Sequence, residues 1–272
     1  MTNTPQWVIT EIRKAKEQQL TKLDLIGYPW RRKLTEFPQE IFEVKYLEEL
    51  DLSENAINLL PDSITKLTNL HTLSLSDNQL TLLPDQITKL TNLHTLYLSY
   101  NQLTSLPDSI TKINDLNTLY LSYNKFTSLP DSITKINNLN KLYLSGNKIT
   151  LLPDSIGKLT NLKKLYLSDN QIISLPDSIG ELINLNTFDL RDNQITFIPT
   201  SIGKLTNLNT LDLRFNKLIY LPNSITQITN LNTLSLSGNP LEKPPMEIAS
   251  KGVCAICEYF QSVIKCKDID MN

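Results

Sequence analysis

Leu70-His71-Thr72-Leu73-Ser74-Leu75-Ser76-Asp77-Asn78-Gln79-Leu80-Thr81-Leu82-Leu83-Pro84-Asp85-Gln86-Ile87-Thr88-Lys89-Leu90-Thr91-Asn92 decides the fold, because this stretch is one of a series. Its first position returns as leucine at Leu93, Leu116, Leu139, Leu162, Leu185, Leu208 and Leu231, and it is preceded by Leu47, a period of 23 residues without a slip. Reduced to its fixed positions, the unit reads Leu-x-x-Leu-x-Leu-x-x-Asn-x-Leu-x-x-Leu-Pro-x-x-Ile-x-x-Leu. Working outward, a longer and irregular unit runs from Leu20 through Leu23, Leu25, Leu34, Phe37-Pro38, Ile41 and Val44, with its excess residues around Tyr28-Pro29-Trp30-Arg31. With that one there are ten units. A fixed period of this size marks a stack of like supersecondary units.

Each part of the unit has a physical task. Leu-x-Leu alternation makes a short strand with the leucines inward and the intervening residues outward. The asparagine (Asn55, Asn78, Asn101, Asn124, Asn147, Asn170, Asn193, Asn216, Asn239) stands where the chain leaves the strand. Its amide can pair with backbone groups that the turn buries, and losing such a partner costs about 1–3 kcal/mol. Leu-Pro then closes the turn, and Asp-Ser-Ile-x-Lys-Leu predicts a short helix or 3₁₀ segment. Proline suits its first turn and aspartate its positive end, and Asp62 with Lys66 has the i,i+4 spacing of an ion pair. One unit cannot bury its own leucines, but neighbours bury each other's. The expected architecture is an α/β right-handed solenoid of about ten 23-residue repeats, with parallel strands lining a concave face.

A solenoid needs its ends closed. Thr4-Pro5 can start a helix carrying Trp7, Val8, Ile12 and Ala15 at helical spacing. At the other end the repeat gives way at Pro244-Pro245, and a helix through Ala255, Ile256, Tyr259, Phe260 and Val263 offers an apolar face, with a tail expected to fray from Lys265. The expected organisation is a helical cap over residues 1–19, the solenoid over 20–243 and a second cap with tail over 244–272.

Bulk properties narrow the function. The 272 residues carry a net charge of −2, which gives no electrostatic reason to expect nucleic acid or an anionic membrane as partner. The N-terminus has neither the basic nor the apolar region of a signal peptide, and no apolar run approaches the roughly 20 residues of a membrane span. The three cysteines, Cys254, Cys257 and Cys266, fall near the C-terminus, and there is no Asn-x-Ser/Thr acceptor. A reducing, cytoplasmic setting is the expectation.

The joined motifs Leu-Pro-Asp-Ser-Ile-x-Lys-Leu-Thr-Asn-Leu and Leu-x-Leu-Ser-x-Asn-x-Leu/Ile, spanning Leu47 to Leu241, resemble leucine-rich repeats, in particular those associated with Ras-like GTPases. These are the repeat arms of Roco proteins, the Ras-group scaffold proteins and the scribble-type polarity scaffolds. Ile12-x-x-Ala15 before Leu23-Asp24-Leu25 looks like the N-terminal cap of bacterial Roco-type arms. Gly238-Asn239-Pro240-Leu241 with Pro244-Pro245, then Gly252-x-x-Ala255-Ile256-x-x-Tyr259-Phe260, looks like their C-terminal cap. The resemblance implies a protein-binding scaffold, with a small GTPase or other signalling protein as the first candidate partner. It implies, alternatively, a regulatory repeat arm of a Roco-type GTPase that lacks its catalytic domain.

The informative positions are those between the inward leucines. The central outward site of successive strands carries Asp51, Ser74, Tyr97, Tyr120, Tyr143, Tyr166, Asp189, Asp212 and Ser235, with Tyr100 and Tyr123 flanking two of the tyrosines. The face therefore reads acidic at Glu48, Glu49, Asp51 and Glu54, aromatic in the middle, and then as a charge ladder of Asp189, Arg191, Asp192, Asp212 and Arg214 with Phe215 beside it. Tyrosine and arginine are the residue types that most often anchor interfaces. A second reading is open: tyrosine is a good strand residue, stacked pairs stabilise a sheet, and recent duplication copies residues without selection for binding. The candidate partner-binding residues are Tyr97, Tyr100, Tyr120, Tyr123, Tyr143, Tyr166, Asp189, Arg191, Asp212, Arg214 and Phe215.

Other constellations fall short of chemistry. His71 and His94 share a position in adjacent repeats without a third ligand type beside them. Cys254-x-x-Cys257 has only Cys266 to join it, where zinc wants four ligands, and Cys257 reads as a small buried residue. Cys266-Lys267-Asp268 matches the Cys-x-Asp core of repeat-bearing ubiquitin ligases without the large domain that they need. Gly157-Lys158-Leu159-Thr160 and Gly203-Lys204-Leu205-Thr206 lack the earlier glycine of a phosphate loop and the hydroxyl residue after the lysine. The expectation is a chain with no enzymatic activity, no cofactor and no metal.

Overall fold

The computed structural model describes residues 4–270, with side chains through Val263, so the reading of Cys266 falls outside the described side chains. The chain divides into two compact units, Met1–Tyr143 and Leu144–Asn272. In the first, helix α1 (Gln6–Glu17) precedes strands β1 (Lys22–Asp24), β2 (Glu49–Asp51), β3 (Thr72–Ser74), β4 (Thr95–Tyr97), β5 (Thr118–Tyr120) and β6 (Lys141–Tyr143). Each strand runs parallel to the next, in chain order, with Leu23, Leu50, Leu73, Leu96, Leu119 and Leu142 in register. The second unit repeats the plan with β7 (Lys164–Tyr166), β8 (Thr187–Asp189), β9 (Thr210–Asp212) and β10 (Thr233–Ser235), followed by α2 (Met246–Ala249) and α3 (Val253–Asp270). A 3₁₀ segment lies between successive strands, as at Asp62–Lys66 and Asp177–Glu181. The expected α/β solenoid of short parallel strands is the fold that forms.

The repeat's fixed residues do what their chemistry allows. The recurrent leucines and isoleucines are buried at nearly every rung. Asn78 shows the asparagine's work: its Nδ2 donates to Leu52 O at 2.9 Å and to Leu75 O at 3.1 Å, while its Oδ1 accepts from Ile57 N at 3.0 Å. One side chain thus serves its own strand, the previous strand and the previous turn. A second asparagine series, not foreseen, runs along the outside. Asn92, Asn138, Asn184 and Asn230 each donate Nδ2 to the carbonyl 24 residues earlier, at 2.7–3.0 Å.

Two local expectations are corrected. Pro61, Pro84 and Pro107 stand just before their 3₁₀ segments in an extended conformation rather than inside the first turn. The Asp62–Lys66 pair does not form, because a 3₁₀ turn holds three residues and does not place i and i+4 on one face. Lys66 Nζ instead lies 5.5 Å from the centroid of the Phe42 ring.

In the second unit three of the four 3₁₀ segments carry glycine, Gly157, Gly180 and Gly203, where the first unit has Thr65, Thr88 and Thr111 and the fourth segment has Thr226. These glycines permit a close approach of backbone to backbone. A β-carbon at Gly180 would fall 2.5 Å from Ser201 O and 2.9 Å from Ser201 Cβ. Gly180→Ala is expected to destabilise by about 1–2 kcal/mol, the usual scale for overpacking, in denaturant unfolding. A midpoint equal to that of wild type would show that the segments move apart at no cost.

At the ends, α1 buries Val8, Ile12 and Ala15 and has Pro5 at its N-cap. The irregular insertion folds back on this helix: Arg31 lies 4.4 Å over the Trp7 ring and 5.3 Å over Tyr28, which stacks on Trp30. In α3, Ile256 and Phe260 are buried. The tail expected to fray continues as helix to Asp270. Cys257 is half-buried rather than buried, its thiol pushed up in pKa by desolvation and then by Cys254, and both thiols are free.

Candidate functional site

Strand alternation settles which side chains leave the core. In the first unit, parallel register places Asp24, Asp51, Ser74, Tyr97, Tyr120 and Tyr143 in one row across six strands. Rungs about 4.8 Å apart bring aromatic rings to stacking distance. Tyr97 and Tyr120 stack with centroids 4.4 Å apart, and Tyr120 and Tyr143 follow at 4.2 Å. Tyr100 and Tyr123 form a second stack beside the first at 4.4 Å. Five of the sequence-predicted residues are thereby brought together. The Tyr97 hydroxyl is pushed up in pKa, first by desolvation and then by Tyr120, so it stays protonated and neutral.

The flanking tyrosines sit on unusual backbone. The residue before each ladder asparagine lies in the left-handed region: φ is 59° at Glu54, 52° at Asp77, 56° at Tyr100 and 55° at Tyr123. The second unit keeps the same column, with 56° at Asp169, 53° at Asp192 and 53° at Phe215, and glycine at Gly146 and Gly238. A bulky residue there is a true outlier, and such outliers concentrate at functional sites. Tyr100 and Phe215 are nonetheless 55% and 53% exposed, so burial does not repay the strain.

In the second unit, Tyr166, Asp189 and Asp212 follow one another in register. Arg214 clamps Asp212, with Nη2 to Oδ2 at 2.6 Å and Nε to Oδ1 at 2.9 Å, and the carboxylate holds the guanidinium's pKa up. Arg191 turns instead to Asp192, its Nε 3.2 Å from Oδ2 but without hydrogen-bond alignment. Phe215 packs its ring edge over Gly238, where a β-carbon would fall 2.5 Å from Cδ1.

Asp189 has its pKa raised, first by desolvation and further by Asp212, against the Arg191 N–H that donates to its Oδ1 at 3.0 Å. A raised carboxyl pKa means that the folded state disfavours the ionised form. Asp189 therefore lowers stability as pH rises from the ordinary carboxylate range through its folded pKa. Asp189→Asn keeps the acceptor for Arg191 and is expected to melt higher than wild type at pH 7. That gap should close as pH falls below about 4, in parallel thermal scans. A gap that persists at low pH would assign the effect to packing.

Sequence reasoning missed one apolar row. Leu59 and Leu82 in the first unit, and Leu151, Phe197 and Tyr220 in the second, occupy the position before Leu-Pro (Ile198-Pro199 after Phe197) and are half exposed. Their signal was present as an apolar residue at an otherwise serine position, but it was masked by the leucines around it. His71 and His94 are tilted rings 5.4 Å apart, and among the described residues no group of three or more His, Cys, Asp or Glu could hold a metal. No helix among the described residues is long and apolar enough to cross a membrane.

The comparisons agree with this geometry. The family described as leucine-rich repeat region matches residues 84–171 and 152–248, and leucine rich repeat matches residues 18–80. No curated protein matches the chain. Among solved structures, the leucine-rich-repeat protein LIC12759 of Leptospira interrogans is similar at 37% identity and a TM-score of 0.79, over 84% of this chain and 57% of that one. The ectodomain of the receptor kinase GASSHO1/SCHENGEN3 of Arabidopsis thaliana, in complex with Casparian strip integrity factor 2, is similar at 29% identity and a TM-score of 0.69, over 81% of this chain and 27% of that one. PEPR1–AtPEP1 follows at 31% identity and a TM-score of 0.65, covering 81% and 35%. The chain thus spans little more than half the length of the first of these and less of the others. With its family matches covering most of the repeats, the chain belongs to the leucine-rich-repeat family.

Proposed function

We propose that this chain is a non-catalytic binding module that holds a polypeptide partner on the open face of its strands. Leucine-rich-repeat regions generally serve protein–protein interaction, which is the coarse statement that family membership supports. The observation that carries the finer one is the stack of Tyr97, Tyr120 and Tyr143 beside that of Tyr100 and Tyr123. Such a platform offers large contact area at small entropic cost, the character of interface hot spots. Two of the similar structures are complexes, which supports the same reading. The test is affinity capture from native lysate by wild type beside the Tyr97/Tyr120/Tyr143→Ser variant, with circular dichroism showing both folded. A partner held by wild type and lost by the variant is the expected result. One held equally by both would reduce the stack to sheet stabilisation.

The Roco-type resemblance makes a small GTPase the partner to try first, with the chain acting as a scaffold or as a regulatory repeat arm. A Ras-like reading frame next to the gene, and binding of its product to the purified chain, would support the arm; an unrelated neighbour and no binding would overturn it. We place the chain in the cytoplasm, on its free thiols and the absence of a glycosylation acceptor in the sequence. Recovery in the medium of intact cells would overturn that placement.

A further inference from the structure

The first unit's aromatic row ends abruptly. Tyr143, Tyr120 and Tyr97 fill three consecutive rungs with rings 4.2–4.4 Å apart, and the next rung carries Ser74 in the same register position. One ring's place in the stack is therefore open. Beyond it the following rung carries Asp51, and Glu49 stands two residues away on the same strand. These residues, with Thr72, Leu50 and Lys22, line a hollow of about 290 Å³. Tyr97 closes it on one side, and its far ring face is occupied by Tyr120.

The charges around the hollow are unequal. Glu49 is already paired with Lys22 at 2.9 Å. Asp51 accepts the Ser53 N–H at 2.8 Å through Oδ1, and among the described residues it has no lysine or arginine within ion-pair distance, Lys22 acting on it only at longer range. Glu54 and Asp77 occupy the neighbouring outward column. Shape and charge together specify an occupant. A planar group continues the stack, and a cation answers the unpaired carboxylate. Guanidinium is both, and it stacks on aromatic faces as well as forking onto carboxylates, where an ammonium acts as a hydrated point charge.

We propose that this hollow receives an arginine side chain of the protein partner, laid on Tyr97 at the empty rung and bonded to Asp51. The inference rests on the strand-face reading above and names the partner chemistry for it: an exposed arginine on a basic segment. Ser74 Oγ is engaged with Ser53 Oγ at 2.6 Å, which keeps the serine flat against the sheet and the place above it clear.

The test uses the full chain, isotope-labelled, with acetyl-Gly-Arg-Gly-amide as probe and its lysine and citrulline counterparts as comparators. Two-dimensional NMR should show saturable shifts at Asp51, Thr72, Ser74 and Tyr97 with the arginine peptide in about the millimolar range. The lysine peptide should bind several-fold more weakly, and neutral citrulline about tenfold more weakly or worse. Asp51→Asn should weaken arginine binding by about tenfold while keeping an acceptor for Ser53. Ser74→Tyr supplies the missing ring from the chain itself, with the residue native to the next three rungs, and should abolish the shifts in a protein of unchanged melting temperature. Equal binding of arginine and citrulline, absence of shifts in wild type, or shifts that survive Ser74→Tyr would each overturn the proposal. A captured partner that depends on Tyr120 and Tyr143 but ignores Ser74→Tyr would overturn it too, while leaving the strand-face reading in place.

Discussion

Asn101→Ala is expected to destabilise the chain by about 3 kcal/mol, whereas Asn92→Ala, nine residues earlier, should cost under about 1 kcal/mol. The two residues have the same chemistry and different tasks. Asn101 is buried, donating to Leu75 O at 2.9 Å, Leu98 O at 3.2 Å and Ser99 O at 3.3 Å and accepting from Leu80 N at 2.9 Å. Alanine leaves those groups without a partner inside the stack, and each buried orphan costs about 1–3 kcal/mol before water or local movement recovers part of it. Asn92 makes one exposed bond, to Thr68 O at 3.0 Å, which water can replace. Urea unfolding of both variants beside wild type is the measurement. Similar midpoints for the two would mean that the inner ladder supports no more than the outer one.

The second expectation concerns Tyr100 and Tyr123, and it sets stability against binding. Changing both to glycine removes a left-handed backbone cost of about 1–2 kcal/mol at each. It loses a stacked pair worth about 0.5–1.5 kcal/mol and adds about 0.4–1 kcal/mol of unfolded-state freedom per site. The sum lies near zero or on the stabilising side, and glycine already occupies this column at Gly146 and Gly238. Affinity for the captured partner, by contrast, should fall about 30-fold, the scale of losing a hot spot of about 2 kcal/mol. Melting curves and titration calorimetry on one preparation give both numbers. A variant that melts well below wild type and binds as tightly would make the pair a structural clasp.

These residues also show where sequence reading succeeds. The leucine period, the asparagine's role and the outward row of tyrosines follow from strand alternation and the need to pair buried backbone, and both rules act locally. The left-handed column does not follow from them. Tyrosine is among the last residues that propensity would place at positive φ, so Tyr100 and Tyr123 read as ordinary surface aromatics. Only the aspartates and glycines in the same column, Asp77, Gly146, Asp169, Asp192 and Gly238, carried the signal. Asp62 and Lys66 were misjudged for a related reason: the spacing rule belongs to the α-helix and the segment is 3₁₀. The hollow at Ser74 was invisible, since it is defined by a ring that the sequence omits beside rings that it supplies.

The inner asparagine ladder has a genetic consequence. In the first unit, Asn78, Asn101 and Asn124 each reach the carbonyl 26 residues earlier, and in the second Asn170, Asn193 and Asn216 do the same. Because the offset is constant among these six, excision of a 23-residue block from the regular repeats of a unit leaves the asparagines that remain there facing an equivalent carbonyl, whereas Asn55, which reaches back 30 residues to Leu25 O, lies outside the rule. Unequal recombination between such near-identical segments therefore yields a product whose interior is already satisfied. Length becomes a trait that can drift by whole rungs, and selection on the outward residues can proceed on each new copy separately.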